Sequence, residues 1–173
     1  MAWFLFVLLP ALGFGPLAAG PRSRSTQASL KEEISSLSPV LGLWDCDGTF
    51  ARTGKQISSS ISFAPVLEGA WIRMQQDDRP PNQFHALEMW GFDKNAKQFT
   101  NSIYDNFGGV RSFASPGWSG KQLVWTGESS PQQTRERFIF EQSSGSALVV
   151  TWQVRKGEGD WVVGDTLTCH AQK

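Results

Sequence analysis

The chain has 173 residues, 40% of them hydrophobic, with 16 basic and 16 acidic side chains that cancel to zero net charge. That length and composition suit one domain with an ordinary core. The charge balance argues against a nucleic-acid binder, and no basic amphipathic stretch suits a membrane surface.

Residues 1–19 open an uncharged, apolar run, "MAWFLFVLLPALGFGPLAAG", that reads as a signal peptide cleaved after Ala19. Pro10, Gly13, Gly15 and Pro16 weaken the alternative of a permanent membrane helix. Export implies a secreted or periplasmic protein with no stable membrane association once the signal is removed, in a compartment where disulfides persist. Residues 20–40 then form a polar spacer and a short helix. Ser29 and Glu32 have capping-box spacing, Leu30 and Ile34 share a face, and Pro39 ends the segment.

From residue 41 to 173 the pattern is β. Runs rich in Val, Ile, Phe, Trp and Thr alternate with turns such as "RTGK", "DKNAK", "SPGWSGK" and "KGEGD". The strands are expected at 43–51, 56–66, 69–77, 83–92, 98–105, 109–115, 121–128, 134–142, 147–156 and 161–171. Connections are of hairpin length, and none is long enough for a parallel crossover. An antiparallel meander of about ten strands removes its exposed edges by closing. The expected fold is therefore all-β, an up-and-down barrel preceded by a short N-terminal helix, with a two-sheet sandwich as the rival.

Closure bears on the two cysteines. Cys46 lies on the first strand and Cys169 on the last, which a closed meander makes neighbours. At period two, Cys46 shares a face with Trp44 and Gly48, and Cys169 shares one with Leu167. A Cys46–Cys169 disulfide across the seam follows, with two buried thiols as the alternative. On this alternation His170 faces outward.

Gly42 and Trp44, after a short helix and before a meander, resemble the G-x-W start of calycin, or lipocalin-like, barrels. The segment 90–106, with Gly91, Phe92, Asp93, Phe99 and Asp105, is similar to a bacterial, often secreted, family known as a domain of unknown function. "GKQLVWTGE" and "RERFIFE" look like its later strands, so the resemblance spans about residues 38–171. It implies a calycin-like barrel and no particular substrate. Nitrobindin-like barrels also begin G-x-W and carry a haem-ligating histidine near the C-terminus, where this chain has His170. An inward His170 and the seam disulfide exclude each other, and Asp45 and Cys46 depart from the G-x-W-x-G-x-G start of those barrels.

No spacing of His85 or His170 suggests a metal site, no phosphate loop is present, and "GWSGK" lacks the context of a serine nucleophile. No cofactor and no metal are therefore expected. Glu88 shares a face with Phe84, Ala86, Trp90 and Phe92; inward, it is a carboxylate among apolar groups, and outward, Leu87 and Met89 pack instead. Arg73 and Arg137 are its candidate partners. Trp71, Trp90, Trp125 and Trp152 either line an apolar ligand cavity or fill a small core. The expected function is an exported barrel binding a small apolar molecule through Trp71, Arg73, Glu88, Trp90, Trp125, Arg137 and Trp152. The alternatives are an enzyme using an interior Glu/Arg pair, and a packed interaction module presenting Trp118.

Overall fold

The computed structural model describes residues 29–127, 134–143 and 147–172. The signal peptide expected at 1–19 lies outside them, as do parts of the turns after residues 127 and 143.

The strands are β1 (Gly42–Phe50), β2 (Gln56–Val66), β3 (Trp71–Asp78), β4 (His85–Asp93), β5 (Gln98–Asp105), β6 (Val110–Ser115), β7 (Trp118–Ser119), β8 (Gln122–Gly127), β9 (Thr134–Gln142), β10 (Ala147–Lys156) and β11 (Val162–Ala171). Every neighbour pairing is antiparallel. β1 to β6 follow in order, β6 pairs with β8, β8 to β11 follow in order, and β11 returns to β1. The ten long strands thus form a closed barrel. The two-residue β7, which the sequence pattern did not separate from its turn, pairs only with the start of β8.

The seam has the expected register. Trp44 lies opposite Ala171, Cys46 opposite Cys169 and Gly48 opposite Leu167. Cys46 and Cys169 are disulfide-bonded, with their Cα atoms 4.0 Å apart. Both are fully buried, while His170 is exposed on the outer face opposite Asp45. An inward His170 is thereby excluded by the same alternation that buries Cys169.

The N-terminal helix differs from expectation. It is a 3-10 helix, Glu32–Val40, with Pro39 inside it and no side-chain cap at Lys31. Tertiary pairing displaces the capping box: the Lys31 N–H donates to the Gly69 carbonyl at 2.9 Å, which lays residues 29–31 extended along the β2–β3 turn. Gly69 sits at φ +77°, and a side chain there would strike the Ser29 carbonyl. In a 3-10 helix residues three apart eclipse, so Ile34, Leu37 and Val40 form one buried stripe. That stripe closes one end of the barrel. The Trp44 indole N–H donates to the Val40 carbonyl at 2.8 Å and ties the helix to β1.

Above this plug the core is aromatic. Trp90 is fully buried and packs against Phe63 at 5.1 Å, Trp125 at 4.9 Å and Phe140 at 5.1 Å between ring centroids. Edge-on arrangements of this kind stabilise beyond area burial by about 0.5–1.5 kcal/mol per pair. Trp118 folds back and packs against the same core.

The disulfide closes a segment of 123 residues. In a chain-entropy treatment so long a loop contributes ~4–5 kcal/mol, and removal of native disulfides typically costs ~2–5 kcal/mol. Cys46→Ser should therefore lower stability by ~2–5 kcal/mol in denaturant unfolding without reductant. Cys169→Ser should cost about the same, and the double variant little more than either, since each deletes one bond.

Candidate functional site

The end of the barrel opposite the 3-10 helix is not filled. A cavity of about 290 Å³ opens there, walled by Ile57 (β2), Met74 (β3), Ile103 (β5), Phe138 and Phe140 (β9), Val150 (β10) and Leu167 (β11). These residues lie on the inward-facing alternation of their strands, so pleat geometry alone converges them. Trp152 completes the wall. Its indole occupies space opposite Gly164, where the β10–β11 register shifts and where any side chain would collide with the ring.

The mouth is aromatic as well. Phe84, just before β4, and Phe107, in the β5–β6 turn, face each other at 6.4 Å. Phe107 is 73% exposed. Asp105 Oδ1 accepts the backbone N–H groups of Phe107 and Gly109 at 3.0 and 2.9 Å and so shapes that turn. Asn106 ties it to the β3–β4 loop, donating to the Gln83 carbonyl at 2.7 Å and accepting from the His85 N–H at 2.9 Å.

The polar side chains that line the cavity, Gln76, Asp78, Glu88, Arg111 and Asp165, fall into three groups. The first is Glu88 on β4, 6% exposed. Its Oε2 accepts the Trp90 indole N–H at 2.7 Å and the Asn101 amide N–H at 2.6 Å. Burial pushes its carboxyl above the usual range, opposed by these two hydrogen bonds and by the charge of Arg111. The second is a carboxyl pair. Asp78, at the end of β3, accepts the Ser59 hydroxyl, and it accepts the Gln76 amide N–H at 3.0 Å. Burial, and then the charge of Asp78, push Asp165 up to about 6, against a hydrogen bond from the Trp152 backbone. The third is Arg111 on β6, which pairs with Glu136 at 2.9 Å and Asp105 at 3.3 Å. The Trp152 indole N–H also donates to Glu136, at 3.1 Å, so the ring is fixed in the wall.

Against the residues expected from sequence, the barrel brings Glu88 and Trp152 together in this cavity. Trp90 and Trp125 are interior but lie in the filled half, where they form its core. Trp71, Arg73 and Arg137 belong to the outer face. Trp71 covers Gly91, Arg73 is exposed, and Arg137 lies 4.3 Å over the Trp161 ring with its Nε donating to Gln153 at 2.6 Å. Each is one residue out of phase with the inward positions Ile72, Met74 and Phe138. Arg111, not Arg73 or Arg137, is the arginine near Glu88. It shares the inward face with Phe113, a signal that alternation along "VRSFAS" contains. Asp165 is likewise two residues before the inward Leu167.

The Asp165 shift has a consequence for stability. The folded state holds the Asp165 proton to about pH 6, while an ordinary aspartate loses it at 3.8. Between these values the folded state binds more protons than the unfolded one, so this carboxyl's contribution falls as pH rises through that window. Asp165→Asn, which cannot ionise, should stabilise the protein at about pH 7 by ~1–3 kcal/mol, and the gain should vanish toward about pH 4. Denaturant melts of both proteins across this range give the difference.

No protein-family model matches the chain, and no curated protein matches it. Among solved structures it is similar to "Crystal Structure of Rv2717c from M. tuberculosis", at a TM-score of 0.60 and 12% identity. The match covers 83% of this chain and 99% of that one. At that identity the likeness shows a shared barrel fold.

Proposed function

We propose that this chain is an exported barrel that binds a small, largely apolar molecule in the open half of its interior. The observation that carries the reading is the cavity itself, about 290 Å³ with aliphatic and aromatic walls and few polar groups. That is near the lower end, roughly 300 Å³, of ordinary ligand pockets. The Cys46–Cys169 disulfide supports a secreted or periplasmic location, since such bonds persist in oxidising compartments. An enzyme working through an interior glutamate and arginine is less well supported, because Arg111 is already committed to Asp105 and Glu136. A fully packed interaction module is disfavoured by the cavity and by the inward packing of Trp118.

The test is titration of the purified protein with N-phenyl-1-naphthylamine, followed by tryptophan quenching, with mass spectrometry of a solvent extract for a co-purified molecule. Saturable binding is expected. Val150→Phe places a ring in the cavity and should weaken binding on the order of tenfold or more. Arg73→Ala, on the outer face, should leave it unchanged. Non-saturable quenching with no extracted molecule, or equal effects of the two substitutions, would overturn the proposal.

A further inference from the structure

Glu88 is an unusual group to find in an apolar cavity. It is 6% exposed, and it makes no ion pair among the described residues. Both donors that reach it, the Trp90 indole and the Asn101 amide, converge on one oxygen, Oε2. The other oxygen, Oε1, has no hydrogen-bond partner among the described residues, and the residue lines the cavity. This unpartnered oxygen belongs to a side chain that lines an apolar cavity, and it marks where a ligand atom is to be met.

The chemistry of that atom follows from the surroundings. A carboxylate buried without a cation is expensive, and the neutral acid is the cheaper state. The nearby cation is spent elsewhere, because Arg111 holds Asp105 and Glu136. With two N–H donors on Oε2, that oxygen acts as the acceptor, and the acid proton belongs on Oε1. We infer that Glu88 is a hydrogen-bond donor at the inner end of the cavity, presenting Oε1–H to an acceptor oxygen on the bound molecule. The ligand class is then an apolar molecule with a carbonyl at its leading end, its body against Ile103, Phe138, Val150 and Leu167. This inference rests on the ligand-binding proposal and adds the polarity of the ligand to it.

The test uses two probes of similar shape, 2-acetylnaphthalene and 2-ethylnaphthalene, titrated into wild type, Glu88→Gln and Glu88→Leu. One hydrogen bond of ~1–1.5 kcal/mol makes the ketone about tenfold tighter than the hydrocarbon on wild type. Gln is the informative variant. Its carbonyl can accept from Trp90 and Asn101 while its amide donates into the cavity, so it should keep the preference for the ketone. Leu has no donor and should lose that preference while still binding 2-ethylnaphthalene. An infrared difference spectrum, wild type minus Glu88→Gln at neutral pH, should show a protonated-carboxyl stretch, and this readout stands even if the Leu variant does not fold. Equal binding of the two probes on wild type would overturn the inference but leave apolar binding intact. Absence of the protonated-carboxyl band would mean that Glu88 is ionised and can only accept, and loss of the preference in Glu88→Gln would mean that a donor at this position does not set it; either would also overturn the inference. Failure of both probes to bind wild type would remove the ligand-binding proposal and this inference with it.

Discussion

The pairing of β1 with β11 in one register determines which side chains the rest of the barrel can place inside. Side chains alternate across a strand, so a slip of one residue at this seam would exchange the two faces. In the observed register Cys46 meets Cys169, and Trp44, Gly48, Leu167 and Asp165 all face the interior side. The disulfide locks that choice at the one pairing that joins the chain's two ends. Each further strand inherits its phase from its neighbour through hairpin-length turns. Glu88 reaches the interior through β2, β3 and β4, with Cys46 opposite Ser59, Ser59 opposite Asp78 and Met74 opposite Glu88.

The interior that results is divided by size. Toward the 3-10 helix, Phe63 and Phe140 meet Trp90 edge to face, and Trp125 packs tilted against it, which fills that end. At the other end the inward positions carry Ile57, Met74, Val150 and Leu167, which do not reach across the barrel. The same closed sheet is therefore a packed core at one end and a cavity at the other. The polar groups follow this division. Glu88 lies at the boundary and takes the Trp90 indole N–H, while Asp78, Asp165 and Arg111 lie nearer the mouth. Burial, and then the neighbouring charge of Asp78, disfavour the ionised form of Asp165.

The strands were legible because two signals agree along the chain, alternation at period two and turn residues at each hairpin. The seam disulfide was legible because closure leaves the first and last strands only each other. The form of the N-terminal helix was not. The spacing of Ser29 and Glu32 is a genuine capping signal, but it competes with a backbone hydrogen bond to Gly69 on a segment far along the chain. The stripe of Ile34, Leu37 and Val40 at spacing three is the mark of a 3-10 helix, and it is visible in "ISSLSPV" once that period is sought. Within the site, residue type drew attention to Trp71, Arg73 and Arg137, whereas phase decides the matter. Ile72 and Met74 occupy the inward positions of β3, and Phe138 and Phe140 those of β9. Asp78 and Arg111 were legible only through that phase, since each sits at a strand end beside a turn, where composition suggests solvent.

The division of the barrel into a packed and an open half is tested most directly by a crystal structure of the protein grown with 2-acetylnaphthalene. The account predicts density for the naphthalene rings between Ile103 and Val150, with the carbonyl oxygen within hydrogen-bond distance of Glu88 Oε1 and the Trp90–Trp125 pair undisturbed beneath it. Rings seated on the outer face near Trp71 or Trp161, or wedged between Trp90 and Trp125, would contradict it.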